Sequence, residues 1–252
     1  MWKRLIKHLA WRYRMFRRIY WPQFWYARFL PGTVQSGPFK GMKYSHSATG
    51  SVILPKLIGT YESELHPVIE SWNNNLYDLC VDVGAGEGYY AAGICFRFPQ
   101  INMIAFEQSK KGRSRIQHLA HRNGVLSRIK IWGRCEPAEL ESALSQGVRV
   151  VLIMDVEGYE IVLLDPVAVP ALLSVDFIVE VHPERIEGME MVLQHRFEAT
   201  HRLQWITQQR DKALPAEVEL PRRLANKQEL LVNEFRGPQC WLIGYSKENR
   251  SN

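Results

Sequence analysis

From about residue 76 onward, short runs of apolar and β-branched residues alternate with stretches of helical spacing. LYDLCVDVG (76–84), INMIAFE (101–107), RIKIWG (128–133), VRVVLIMDVEG (148–158) and VDFIVEVH (175–182) read as strands. YYAAGICFRF (89–98), SRIQHLAHRNG (114–124) and IEGMEMVLQHRF (186–197) read as helices between them. Near-continuous apolar strands alternating with helices predict a parallel sheet covered on both faces. FEATHRLQWITQQR (197–210) and QCWLIGYS (239–246) predict two closing strands, an antiparallel hairpin whose long insertion is the charged segment from Asp211 to Pro238. Ahead of the first strand, GTYESELHPVIESW (59–72) predicts a loop leading into a helix, leaning over the ligand site.

The first twenty residues have a different pattern. Leu5, Ile6, Leu9, Tyr13, Phe16 and Tyr20 recur at helical spacing with Lys and Arg between them, which predicts an amphipathic helix that Pro22 ends or bends. Charge sharpens the contrast. Residues 1–61 contain eleven Lys or Arg and no Asp or Glu, and the rest of the chain holds 21 basic against 26 acidic residues. The expected organisation is a basic aromatic extension, residues 1–38, on one domain, residues 39–252. Such an arm has three uses: packing on its own domain or on a second copy as a homodimer, peripheral membrane contact through residues 1–30, or nucleic-acid binding. Basic charge without a reading module makes nucleic acid the weakest of these.

With 252 residues, 46% of them hydrophobic and 23% charged, the composition excludes disorder and is enough for one buried core. The longest apolar run, VRVVLIMDV, falls well short of the about 18–20 residues that cross a bilayer. Basic residues interrupt any signal-peptide core at the N-terminus. Cys80, Cys95, Cys135 and Cys240 include no C-x-x-C pair and read as buried thiols, which fits a reducing cytoplasm.

The densest chemistry lies in LCVDVGAGEGYY (79–90), where a strand runs straight into Gly84, Gly86 and Gly88 and then a helix. Glycines allow a sharp turn and close approach of a ligand, and the helix start offers unpaired N–H groups. Glu107 ends the next strand, 21 residues after Gly86, where a carboxylate can accept both hydroxyls of a ribose. Tyr89 occupies a position at which the dinucleotide fingerprint needs a small residue, which disfavours NAD. Further on, Asp155 and Glu157 end the fourth strand, and Glu180 and His182 end the fifth. In an open α/β sheet those ends border the ligand crevice, and carboxylates among apolar residues require a partner, a metal or a function.

The G-x-G-x-G spacing, with Asp82 two residues ahead, resembles motif I of class I S-adenosylmethionine-dependent methyltransferases, with Glu107 in the ribose-binding position. The ordered set GTYESEL, VDVGAGEGYYA, FEQSKKGRSRIQHLAHRNG, MDVEGYE and VEVHPE resembles the FkbM-like family of these enzymes over roughly residues 58–245. The resemblance implies a Rossmann-like fold, a seven-stranded mostly parallel sheet with helices on both faces. It also implies methyl transfer from S-adenosylmethionine to a hydroxyl of a glycan or other small natural product. On it, Asp82, Gly84, Ala85, Gly86, Tyr89, Glu107, Gln108 and Asp155 contact the cofactor, and Tyr61 and Glu62 close over its methionine end. Glu136, after the third strand, stands where related enzymes contact adenine, although Gly133, Arg134 and Cys135 around it depart from the usual pattern.

Methyl transfer to oxygen requires alignment of donor and acceptor and removal of the hydroxyl proton. The catalytic candidates are His182, Asp155 and Glu157, with His182 as base. Asp155, Glu180 and His182 are also candidate ligands for Mg²⁺ or another divalent cation. Bland readings stand beside these: Glu157 as a helix cap, Glu160 paired with a surface base, and His182 as a packed histidine. The rival functions are an RNA methyltransferase, or an interaction protein that keeps the fold without turnover.

Overall fold

The computed structural model describes residues 21–44, 51–73, 76–209 and 211–248. The helix expected over residues 1–20 lies outside them. Pro22 lies inside a described helix, Trp21–Ala27. The chain divides into two compact units, one formed by residues up to Ser63 with Gln209–Arg236, the other by Glu64–Gln208 with the segment from Gly237.

The second unit is built on seven strands: β1 (Leu79–Val83), β2 (Asn102–Phe106), β3 (Ile129–Trp132), β4 (Val150–Met154), β5 (Asp176–Val181), β6 (His201–Thr207) and β7 (Cys240–Ser246). They form one sheet in the order β3-β2-β1-β4-β5-β7-β6. The first five are mutually parallel, and β7 runs antiparallel to both β5 and β6. This is the α/β architecture and closing hairpin expected from the hydrophobic pattern. Strands β1, β4 and β5 are buried at every residue, which is why they read as unbroken apolar runs. Edge strand β6 is mostly exposed instead, with only His201 fully inside.

Helices cover both faces. Leu79, Val81 and Val83 share one cluster with Leu140 and Leu144 of the helix Pro137–Leu144 and with Met189, Leu193 and Phe197 of the helix Met189–Phe197. The intervening Cys80 and Asp82 are buried toward the opposite face, as the two-residue strand period requires. There the helices Tyr89–Arg97 and Lys110–Arg122 pack on β2 and β3. Arg128 ties the end of the first of these, donating to the carbonyls of Cys95, Phe98 (3.1 Å) and Ile101 (2.8 Å). Hydrogen bonds from a charged donor are worth about 1.5–3 kcal/mol, so Arg128→Ala is expected to cost about 2 kcal/mol. Thermal unfolding should register that as a fall of about 4–8 °C in Tm.

His201 is a second structural anchor. Its Nε2 lies 2.9 Å from the Val175 carbonyl, its Nδ1 lies 2.9 Å from the Thr200 hydroxyl, and its ring packs on Phe177 and Phe197. Burial holds its pKa below the ordinary 6.5, against the opposing pull of the Val175 carbonyl and Asp176. A folded-state pKa below the unfolded one means that the unfolded chain binds more protons between the two values. This contribution to stability is complete above about pH 6.5 and is lost as the pH falls through the folded pKa. Between about pH 7.5 and 5.5 the Tm of the wild-type protein should fall on acidification relative to that of His201→Gln, whatever His182 contributes to both; equal slopes would refute the assignment.

In the first unit, the Gln23 side chain accepts from Leu54 N (2.7 Å) and donates to the Leu230 carbonyl (3.1 Å), joining three short segments around Leu54, Leu57, Ile58 and Leu231. Its interior also holds charge. Lys212 pairs with Glu234, and Arg236 with Glu62 (2.6 Å) and Glu234 (2.9 Å). Among the described residues no helix is long and apolar enough to cross a membrane.

Candidate active site

The strand order places β1 beside both β2 and β4, so the chain moves outward on one side of β1 and returns on the other. Ligands of open α/β sheets settle at the carboxyl ends of strands at such a switch point. Register brings those ends level: Val83 stands beside Phe106 and Met154. Gly84, Glu107 and Asp155 therefore leave the sheet together.

The loop after β1 is held from both sides. Gly84 N and Ala85 N donate to the Phe106 carbonyl (3.0 Å each), and Asp155 N donates to the Val83 carbonyl (2.9 Å). Gly84 has φ +89°, and a Cβ there would lie 1.8 Å from the Asp155 carbonyl oxygen, so only glycine fits. Tyr89, the residue that disfavoured a dinucleotide, is buried at the start of the following helix.

Glu107 stands over this loop. One carboxylate oxygen accepts from Gly86 N (3.0 Å), the other from Ser109 N (2.7 Å). A carboxylate offers about four acceptor sites, so capacity for two hydroxyls remains. Gly112 lets the next helix approach: a Cβ there would meet Glu107 Cγ at 2.5 Å and the Gly86 carbonyl at 2.8 Å. Gln108 is exposed, and its carbonyl accepts from Arg113 (2.8 Å). Asp82, lower on β1, is buried, and its charge joins burial in raising the Cys80 thiol pKa and in pushing that of Cys95 up to about 12. Glu136 accepts from the Tyr159 hydroxyl (2.6 Å) and pairs with Arg134 (2.5 Å), which also lies over the Tyr159 ring.

The ends of β4 and β5 meet around His182. Its Nδ1 lies 2.8 Å from Glu160 Oε1, and the same oxygen accepts from Val156 N at 3.1 Å. Glu160 is completely buried, which corrects the surface pairing read from sequence. Polarity along the chain did not reveal that burial. On the other side of the ring, Nε2 lies 3.7 Å from Asp155, 3.7 Å from Glu180 and 4.0 Å from Glu157. Burial alone would lower the His182 pKa, but Glu160, then Asp155 and Glu157, outweigh it and hold the pKa above its ordinary value.

Glu157 takes the left-handed conformation, φ +55°, followed by Gly158 at +106°, and its exposed carboxylate pairs with Arg185 (2.9 Å) rather than capping the next helix. Ligand atoms of Asp155, Glu157 and His182 lie within 4.8 Å of one another. Glu180 is buried behind them on β5. Tyr61 and Glu62 belong to the other unit, where Lys56 and Arg236 lie over the Tyr61 ring (4.4 and 5.2 Å) and Glu62 pairs with Arg236. His118 and His121, outside the site, are exposed.

No family model matches this chain, and no curated protein matches it. Solved structures do. A putative O-methyltransferase from Klebsiella pneumoniae aligns with a TM-score of 0.46 at 13% identity, over 75% of this chain and 79% of that one. A precorrin-6y C5,15-methyltransferase from Geobacter metallireducens aligns at 0.49 and 12%, over 76% and 88%. The O-methyltransferase TomG from Streptomyces achromogenes, involved in tomaymycin synthesis and solved with SAM, aligns at 0.45 and 10%, over 76% and 79%.

Proposed function

We propose that the chain is an S-adenosylmethionine-dependent methyltransferase acting on a hydroxyl group, with a glycan or another small hydroxylated natural product as acceptor. The observation that carries the cofactor is Glu107, set over the glycine loop with one acceptor site used by Gly86 N, one by Ser109 N, and others left for ribose hydroxyls. The residues fit the group. The backbone of Gly84 to Gly88 gives close approach, and the carboxylates of Asp82, Asp155, Glu157 and Glu180 make the surroundings electronegative, as a sulfonium requires. S-adenosylmethionine supplies an electrophilic methyl, which passes to the acceptor oxygen as the carbon–sulfur bond breaks.

The chain's own work is the proton. Glu160 accepts a hydrogen bond from Nδ1–H and fixes the ring, so Nε2 faces the Asp155 side as the basic nitrogen. A hydroxyl there transfers its proton to Nε2, and the imidazolium is stabilised by Glu160 and the carboxylates that already raise the pKa. Such a base contributes about 10²–10⁴-fold.

A second reading is favoured by one observation, the grouping of Asp155, Glu157 and His182. Two carboxylates and an imidazole fit a divalent cation, which lowers the pKa of a bound hydroxyl; His182 is then a ligand and not the base. Calorimetric titration with S-adenosylmethionine and S-adenosylhomocysteine, on chelated protein with and without Mn²⁺ or Mg²⁺, tests both readings. Cofactor heat supports the methyltransferase. Cation heat lost in Asp155→Asn selects the second reading, and absence of cofactor binding under every condition refutes the proposal.

A further inference from the structure

The helix Trp21–Ala27 divides sharply. Gln23 and Ala27 are buried and anchor it within its unit through Leu54 and Leu230. On its outer side Trp21, Phe24 and Trp25 are 58%, 47% and 48% exposed. Adjacent large aromatics on a short, firmly attached helix are costly to leave in water and mark an interaction surface. Cations rim them: the Arg28 guanidinium lies 4.9 Å from the Phe24 ring and 5.5 Å from Trp25, and that of Arg223 lies 5.3 Å from Phe29.

We propose that this face docks on an anionic lipid bilayer. Tryptophan with a flanking arginine suits the headgroup boundary, where an apolar ring and a charged tip are both accommodated. Charge selects the occupant. Arg28 and Arg223 stand on this face, so a second copy meeting it would set like charge against like. An anionic leaflet attracts it. The docking face shares no residue with the site around His182.

The test uses the full chain in sedimentation with phosphatidylcholine vesicles and with vesicles containing about 30% phosphatidylserine. Binding is expected only to the anionic vesicles and should weaken with salt. The variant Trp21→Ser, Phe24→Ser, Trp25→Ser should bind about tenfold or more weakly while keeping the wild-type melt, since all three side chains are exposed. Equal binding to both vesicle types, or unaltered binding by that variant, overturns the proposal. So does tighter capture by single-stranded polyuridylate than by anionic vesicles, or a stable dimer that the same variant dissociates.

Discussion

Glu107→Ala is expected to weaken S-adenosylhomocysteine binding by about 100-fold or more, because each hydrogen bond to a charged acceptor is worth about 1.5–3 kcal/mol and the ribose offers two hydroxyls. Part of the loss arises in the loop, since Gly86 N and Ser109 N lose their acceptors together. Both lie where water reaches, Glu107 being half-buried, so the melt should move little. Glu107→Gln keeps an oxygen for one of these amides and loses the charge, and should fall between the two. Calorimetry with wild-type protein alongside both variants reads the order. Alanine affinity within threefold of wild type would remove Glu107 from the ribose, whereas no binding by the wild-type protein would remove the cofactor assignment itself.

The glycine loop and the carboxylate beside it were legible in the chain because their signals are local. A glycine at φ +89° against the Asp155 carbonyl tolerates no Cβ, so the glycines of the loop announce its path. The parallel strands were legible for an equally simple reason, burial on both faces, which leaves apolar runs such as VVLIM. Glu160 was hidden. It begins the helix Glu160–Leu163, where an acid ordinarily faces solvent beside the helix start, and its burial depends on His182 arriving from another strand. The ion pairs of the first unit were equally unreadable: Glu62 and Glu234 are 172 residues apart, and a charged insertion gives no sign that Lys212, Glu234 and Arg236 turn inward to meet. Pattern along a chain reports burial of apolar side chains; it is silent on polar groups buried by mutual pairing.

Glu160→Ala is therefore the sharper probe of the reaction itself. One oxygen, Oε1, holds both His182 Nδ1 and Val156 N, so its removal frees the ring and leaves a buried imidazole and a partly buried amide without an acceptor. Breaking a buried, hydrogen-bonded pair costs about 3–5 kcal/mol, which should lower Tm by about 6–20 °C. Methyl transfer should fall by about 10³-fold through the loss of an oriented base, measured with labelled S-adenosylmethionine against a panel of hydroxylated acceptors. Glu160→Gln separates stability from chemistry. An amide oxygen placed at Oε1 still accepts from both donors, so the melt should recover most of the loss, while the imidazolium formed during transfer lacks its counter-charge and kcat stays about 10²-fold down. Affinity for S-adenosylhomocysteine should be unchanged in the glutamine variant, since Glu160 reaches His182 and not the glycine loop. Full activity in Glu160→Gln would make Glu160 a packing residue and transfer the proton step to the carboxylates of Asp155 and Glu157, the pair that a divalent cation would share.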